Sequence, residues 1–574
     1  MRVAARADGV SVHAISGTRA VMLAMDANAA ARRDLLGFAI HAQNRTNGRK
    51  GWLRGFKFFK AVVPDPEPGE RRSTLEHPIQ SFLWGHYAAE PGEEYEYTIR
   101  PMRRPASGDL SALDQGSDVA VSIRTEPEWQ DGHSVFFNRG AIVSQKYAEQ
   151  FGNQPPEKMD DPDDAAVKWL SRGLLEAALA FIGEAKDATF ELRAAVYEFT
   201  YKPILEAFAA AAGRGAHVRI VYEAGHRGTD DVLMPSSQGD KNKDEIAKLP
   251  PHPRLEFIGR TRHISIPHNK FIVLLENGHP VALWTGSTNF TPSGFIGQTN
   301  VGHAVSDDAV AAAYNGYWEQ LRQDPHRAAL KAWCMANSPR PGATLPAQAT
   351  VALFSPRGST GMLGWYGARM DEAAQTVMLT SAFGVTRKLA EHFDVDRDYL
   401  RFIFMERKNR SAETQAMLER DRDTVISLGR ALGTKGMSTK IEGWKLDKWF
   451  RREEHFRKRG HIFYVHTKIM MLDVLSADPL VFTGSANFSP NSLSSNDENM
   501  LLIRGDTRVA DIYLTEFQRL FNHFYFRTVA NERAETGDSD IAKAVYLDPT
   551  DRWTKRYFTP GRFHSRRREL FRAP

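Results

Sequence analysis

Short runs of apolar residues alternate with polar ones over roughly the first 125 residues. "VSVHAI", "AVMLAM", "LLGFAIHA" and "VAVSIRT" are separated by Gly, Asn, Asp and Pro. That pattern predicts short β-strands. In "AEPGEEYEYTIRP" (89–101), Tyr95, Tyr97 and Ile99 alternate with polar residues after a Pro-Gly corner, the mark of a half-buried strand. Farther on the period lengthens. "DPDDAAVKWLSRGLLEAALAFIGEAK" opens with acids and Pro162 and then repeats apolar residues at helical spacing, which predicts one helix. "ATFELRAAVYEF" is strand-like, "PILEAFAAAAGRG" is a helix ended by glycine, and "HVRIVYEA" is a strand again. Strand, helix, strand predicts a crossover unit in a mainly parallel sheet. "NSPRPGATLPAQ" (337–348) is a Pro-rich linker, after which "TVMLTSAFGV" and "LRFIFME" restart the strand signals.

An internal repeat organises this second region. "PHNKFIVLLENGHPVALWTGSTNF" (267–290) matches "VHTKIMMLDVLSADPLVFTGSANF" (465–488) without a gap, at an offset of 198 residues. Beyond it, Asp307, Val310, Tyr314 and Leu321 match Asp506, Val509, Tyr513 and Leu520 at an offset of 199, so one residue is added between. "FFNRG" (136–140) echoes "FSPRG" (354–358) upstream. The expected organisation is a β-rich domain over 1–130, two homologous α/β halves over 131–336 and 349–530, and a C-terminal tail over 531–574. The second half carries a longer charged insertion around 407–460, ending "WFRREEHFRKRG".

Composition narrows the class. The chain has 574 residues, 42% hydrophobic and 10% aromatic, which is globular and core-forming. Seventy-five basic against 70 acidic residues is a mild excess and does not by itself imply nucleic acid. The excess is local: from Asp551 to Pro574 eight basic residues face two acids, interleaved with Trp553, Tyr557, Phe558, Phe563 and Phe571. Such a tail suits the phosphates of anionic lipid or nucleic acid, and equally a solvated basic segment docked by its aromatics. Cys334 is the only cysteine, so no intrachain disulfide can form. The N-terminus lacks a secretory apolar core, and no run reaches the roughly 18 apolar residues of a membrane span. The expectation is a soluble cytoplasmic protein; export without a cleaved signal remains compatible.

The repeated block carries the chemistry. "HNKFIVLL" and "HTKIMMLD" read as strands entering a buried sheet. Residues two apart on a strand face the same way, so His268 and Lys270 share a face, as do His466 and Lys468. Each chain segment turns back, the first through Asn277-Gly278, and delivers Gly-Ser-x-Asn beside the His-x-Lys pair. Gly286 and Gly484 permit close backbone approach. Two lysines with Asn289 and Asn487 make a site for a phosphate oxyanion. Two histidines supply a nucleophile and an acid. No His, Cys or carboxylate cluster stands at metal spacing, and no cofactor is expected.

HxK-x4-D followed by GSxN, present twice, resembles the phospholipase D superfamily. The second copy fits fully through His466, Lys468, Asp473, Gly484, Ser485 and Asn487; the first, with Ser287, departs only at Leu275. The resemblance covers about 133–530. It implies two α-β-α halves on a pseudo-twofold axis with one active site between them, so a monomer suffices. It implies phosphodiester cleavage through a phosphohistidine without a metal. In the family a carboxylate after GSxN reaches the other half's histidine. "SNDENM" offers Glu498, and Thr299 stands opposite it at the offset of 199. Glu498 is therefore expected to orient His268 as the nucleophile. His466, left without an equivalent partner, is expected to act as general acid and then to activate water. Asp473, Ser287 and Ser485 are expected to support the site. The N-terminal segment around Tyr95 resembles the corner of fibronectin type III and immunoglobulin-like sandwiches.

Three substrate readings follow. Phospholipase D-type hydrolysis is favoured by the family association, with the segment 225–245 walling a headgroup pocket. A nuclease is favoured by a pI near 9.0 and by basic stretches at 451–459 and the C-terminus. A catalytically inactive scaffold would leave both His-x-Lys pairs and both asparagines without a purpose.

Overall fold

The computed structural model describes residues 1–67, 69–140, 144–227, 232–263, 265–342, 345, 349–430, 464–535 and 546–572. The charged insertion that ends "WFRREEHFRKRG" lies outside these residues from 431 onward, and with it the basic stretch 451–459.

The N-terminal strands pair into two sheets. Arg2–Ala7, Val10–Ser16, Val21–Ala27 and Leu83–His86 form one. Glu94–Arg103 pairs with Leu35–Asn44 on one side and with Val119–Arg124 on the other. Apolar residues of both sheets meet in one core, including Val12, Leu23, Phe38, Tyr97 and Val121, which makes a β-sandwich. Tyr95 and Tyr97 point inward as their alternation predicts. The Tyr95 hydroxyl accepts the Glu90 N–H at 2.8 Å, pinning the corner five residues upstream.

The C-terminal segment completes this sandwich. Trp553 stacks on Phe82 at 5.2 Å and donates Nε1–H to the Leu35 carbonyl at 2.7 Å. Trp553, Tyr557 and Phe571 are buried. The tail docks by its aromatics, while Arg552 and Arg556 stay exposed. Those rings stay in the core because they bury far more apolar area there than a tail in water would.

The remainder is two α/β halves with matching sheets of seven strands. The first runs Gly132–Phe137, Val301–Ser306, His279–Gly286, Lys270–Glu276, Phe190–Val196, His217–Glu223, Leu255–Arg260 in spatial order. The second repeats that order with Thr350–Ser355, Glu498–Arg504, Leu480–Gly484, Ile469–Leu472, Thr376–Ser381, Leu400–Met405, Thr424–Leu428. The same order in two homologous halves is a pseudo-twofold arrangement. Only the last three strands of each sheet are mutually parallel. The sheets are therefore mixed rather than mainly parallel. The reason is local: Asn277 and Gly278 both adopt positive φ, closing a two-residue hairpin that forces antiparallel pairing.

Two further differences from the sequence reading have physical causes. The single helix predicted after Pro162 is two, Ala165–Ser171 and Leu174–Gly183, broken where Arg172 and Gly173 turn left-handed. The break carries the Arg172 guanidinium to Glu516 of the other half, at 2.8 Å, with both side chains buried. The residue added between the halves is Gly505: strand pairing keeps the offset of 198 through Val305 and Ile503, and only then does it become 199.

One core joins the halves. Phe271, Val273 and Leu275 meet Ile469, Met471 and Val474 in it, together with Tyr314 and Tyr513 of the interface helices Asp308–Leu321 and Thr507–Glu535. Leu275 is a packing residue here. At the matching place, Asp473 ends its strand in a left-handed conformation and accepts the N–H groups of Ala374, Gln375 and Thr376. Asp473→Ala is expected to lower unfolding stability by about 0.5–1.5 kcal/mol by removing those hydrogen bonds. Turnover per folded molecule should stay within about twofold, a split that denaturant unfolding and kcat together measure.

Candidate active site

The motif residues converge where the two sheets face each other. In each half the HxK segment runs into a central strand and the neighbouring antiparallel strand ends at the motif glycine. Gly286 and Gly484 have φ of 137° and 155°, and a Cβ there would meet the carbonyl oxygens of Val301 and Asn499 at 2.2 and 2.3 Å. Only glycine lets the two backbones close up so that Ser287 and Ser485 reach the next strand.

Crossed connections bind the halves at this point. The Thr299 N–H donates to the Tyr464 carbonyl at 2.7 Å, and in the mirrored position the Asp497 N–H donates to the Ile266 carbonyl at 3.0 Å. Asn499 donates its amide to Asn269 across the axis at 2.8 Å.

His268 Nδ1 lies 2.9 Å from Glu498 Oε2. Ser485 Oγ donates to the same oxygen at 2.6 Å, and Asn496 donates to the other at 2.9 Å. The carboxylate is thus fixed, and it accepts a hydrogen bond from Nδ1–H, which leaves the lone pair on Nε2. Burial, more than the nearby Lys270 and Lys468, pushes the His268 pKa down to about 4, against the opposing pull of Glu498. Burial raises the Glu498 pKa, but His268 and Lys270 outweigh it and hold the carboxyl below its ordinary value. The pair is a neutral imidazole on an ionised carboxylate.

His466 is not without a partner, as the offset of 199 had suggested. Its Nδ1 sits 2.8 Å from Asn300 Oδ1. Ser287 Oγ donates to that oxygen at 2.8 Å, just as Ser485 serves Glu498, and Asn300 Nδ2 donates to the Gly294 carbonyl at 2.8 Å. Since the offset stays 198 up to the strand end, Asn300 and not Thr299 is the counterpart of Glu498. Thr299 instead accepts the His466 N–H through Oγ1 at 3.1 Å. The asymmetry is carboxylate against amide. Burial, then Lys468, Lys270 and His268, put the His466 pKa well below its ordinary value.

Lys270 and Lys468 each donate from Nζ to the carbonyl of their own motif histidine, at 2.7 and 2.6 Å. Burial brings the Lys270 pKa to about 8 and pulls that of Lys468 well down, with Lys270 adding to the effect on Lys468. Two buried ammonium groups beside each other are stabilised by an anion placed between them. Asn289 and Asn487 each present an Oδ1 with no hydrogen-bond partner.

Sequence reasoning missed Asn300, Tyr197 and Glu198. The Tyr197 ring lies 5.3 Å from that of His268, and Lys270 Nζ is 5.7 Å from the Tyr197 centroid. Glu198 accepts a hydrogen bond from Asn289 Nδ2, and its charge raises the pKa of both lysines. Both residues follow the strand Phe190–Val196, at the carboxyl end of parallel strands where ligands of α/β sheets bind. That position was the available signal. The strand registers put Phe383, 62% exposed, where Glu198 stands in the first half.

One metal-like grouping exists among the described residues, which the sequence did not reveal. Carboxylates of Asp396, Asp421 and Asp423 come within 4.8 Å of one another. Asp421 pairs with Arg401 and Asp423 with Arg566, so arginines already offset its charge. It lies at the amino ends of Leu400–Met405 and Thr424–Leu428, the opposite sheet edge from the histidines.

The family model described as cardiolipin synthase, PLD-like domain matches residues 180–322 and 419–521, one match in each half. The two α/β halves are phospholipase D-like domains. No curated protein sequence matches it. Among solved structures it is similar to phosphatidylserine synthase of Haemophilus influenzae, at 11% identity and a TM-score of 0.40 over 66% of this chain and 94% of that one. It is also similar to a phospholipase D family member, Nuc, from Salmonella typhimurium, at 23% identity and a TM-score of 0.21 over 26% and 86% of the two chains. The polyphosphate kinase of Porphyromonas gingivalis aligns at 10% identity and a TM-score of 0.36 over 63% of this chain, which spans half of that kinase. Among the described residues no helix is long and apolar enough to cross a membrane.

A phospholipase D-type site of this geometry sets a pH profile. On the expected roles, with His268 attacking and Lys270 holding phosphate, the imidazole has to be neutral and the ammonium charged. kcat/KM for a soluble diester should fall below pH about 4 as His268 protonates, and above pH about 8 as Lys270 loses its proton. Because Glu498 raises the His268 pKa, Glu498→Gln should move the acid limb lower.

Proposed function

We propose that this protein hydrolyses the headgroup ester of a phospholipid in two steps through a phosphohistidine on His268. The observation that carries the reading is the asymmetric pair of hydrogen bonds, Glu498 to His268 and Asn300 to His466. A carboxylate stabilises the positive charge that an imidazole gains when its Nε2 bonds to phosphorus, and an amide does so less. His268 Nε2 attacks phosphorus, a P–N bond forms, and the P–O bond to the headgroup breaks. His466, its protonated form favoured by the charge of the bound anion, gives its proton to the departing oxygen. A water then loses a proton to His466 and attacks phosphorus, and the P–N bond breaks. Lys270 and Lys468 supply the charge around the phosphoryl oxygens, with Asn289 and Asn487 placed beside them, so the route needs no metal.

Phospholipid is favoured over nucleic acid by the site's surroundings. Val232, Leu233 and Met234 are exposed apolar residues on the hairpin that follows His217–Glu223. The helix after that hairpin is tied to the Tyr197 carbonyl by Asn242 at 2.8 Å, beside His268. With Phe383 they give the site an apolar rim suited to acyl chains. Of the C-terminal aromatics that a nuclease reading needs for stacking, Trp553, Tyr557 and Phe571 are buried. Incubation in EDTA with phosphatidylcholine vesicles and, separately, with plasmid DNA tests the choice. Choline release that His268→Ala lacks supports this function. Nicking of DNA without lipid turnover replaces it with a nuclease, and neither activity returns the scaffold reading.

A further inference from the structure

A second anion site lies far from the histidines in sequence and is built from different residues. Between the N-terminal sandwich and the C-terminal segment there is a cavity of about 560 Å³, within the range of small-molecule sites. Lys57, Arg552 and Arg556 line it. Among the described residues none of the three pairs with a carboxylate. Arg552 donates only to Thr550 Oγ1, and Arg556 to the Tyr557 hydroxyl, over whose ring it sits at 5.0 Å. The one acid of the lining, Asp548, turns Oδ1 to Thr550, accepting its N–H and hydroxyl at 2.9 and 2.6 Å. The lining therefore carries a surplus of positive charge.

His77 adds a neutral, buried wall to this cavity. It also lines the cavity and is 2% exposed. The Phe59 N–H donates to its Nδ1 at 3.2 Å, so the neutral ring carries its proton on Nε2. Burial, then Arg72, hold its pKa down to about 4, which keeps the ring neutral. Nε2 is buried and has no hydrogen-bond partner. A buried donor without an acceptor is costly and rare in folded proteins. Trp553 and Tyr557 add aromatic wall beside it.

We propose that this cavity binds a small phosphorylated molecule, its phosphate held by Lys57, Arg552 and Arg556. Gln80 shows how such a ligand would act. Its amide donates to the carbonyls of Leu36 and Asp548, at 3.0 and 2.7 Å, and its Oε1 accepts the Asp548 N–H, so the cavity floor already ties the two segments. A bound phosphate adds a second tie and raises the melting temperature of the whole chain.

The test uses the full-length Lys270→Ala/Lys468→Ala protein, which removes the anion-binding lysines of the active site. It is titrated calorimetrically with inorganic phosphate, AMP and glycerol 3-phosphate, with thermal unfolding in parallel. The expected result is one ligand per chain, weakened at least tenfold by adding Lys57→Ala/Arg556→Ala, exposed positions at which folding is retained. Tightest binding of AMP identifies a nucleotide as the source, of glycerol 3-phosphate a lipid-derived headgroup, and equal binding of all three a free phosphate. No binding of any probe, or binding that Lys57→Ala/Arg556→Ala leaves unchanged, overturns the proposal.

Discussion

With a p-nitrophenyl phosphodiester, His466→Ala should release one equivalent of nitrophenol per active site and then stop. This leaving group departs without acid help, so the first step survives. The second step needs a base for water, and the variant has none. Steady-state turnover should fall by about 10²–10⁴, the usual worth of a positioned acid–base group. His268→Ala should show no burst at all and lose on the order of 10⁵–10⁶ in rate, the scale of removing a nucleophile. The contrast between one turnover and none separates the roles of two residues that occupy matching places in the two halves. Equal behaviour of the two variants would make the site functionally symmetric and remove the basis for naming either histidine.

Glu498→Gln should be nearly as damaging, although it changes one atom. Glu498 Oε2 accepts from His268 and from Ser485, and Oε1 accepts from Asn496. An amide cannot satisfy all three donors: one orientation sets NH₂ against Asn496, and the other sets it against His268 and Ser485. In the second orientation His268 is driven to the wrong tautomer, with its proton on the attacking nitrogen. In either, the charge that supports the phosphorylated imidazole is gone. The equivalent change in the Ser-His-Asp triad costs about 10⁴ in kcat, and a loss of about 10²–10⁴ is expected here. Asn300→Ala, acting on the general acid, should cost less, and most of its loss should vanish with the nitrophenyl substrate. Rapid-quench measurement of the first step separates the two.

Much of this site was legible because its residues are chemically conspicuous and repeated. Buried lysines at matching positions cannot be explained by packing, so the pairs Lys270 and Lys468, His268 and His466 announced a cavity through their spacing in the chain alone. Glu498 was legible through the family resemblance, in which a carboxylate follows GSxN, since it lies ten residues beyond the repeated block. Asn300 was not: the offset changes from 198 to 199, and the sequence cannot say on which side of the strand Gly505 entered. Strand pairing decides it, since a one-residue slip would send Val301, Val305 and Ile503 to the wrong face. Tyr197 and Glu198 escaped for another reason. They have no chemical counterpart in the second half, where Ala382 and Phe383 stand, so a search for repeated polar residues passes over them.

The fold divided in the same way. Alternation along Tyr95, Tyr97 and Ile99 specified a half-buried strand because every second side chain had to reach the core. The helix after Pro162 misled because helical periodicity persists across the break, while the Arg172 conformation depends on Glu516, more than 300 residues away. The C-terminal basic segment left two readings open because charge is visible in a sequence and docking is not. Its aromatic side chains close the sandwich. Leu275 in place of an acid has a simple explanation: the first half continues its strand where the second half ends one, and a continuing strand has no free N–H groups for an aspartate to cap.

The most direct test of the two-step pathway is to find the covalent bond. His466→Ala is reacted with a phosphodiester, quenched in alkali to preserve a phosphoramidate, digested, and the modified peptide sequenced by mass spectrometry. The predicted result is one organophosphoryl group on His268, absent when His268 is also replaced. Modification of any other residue, or an unmodified enzyme after the nitrophenol burst, would contradict it.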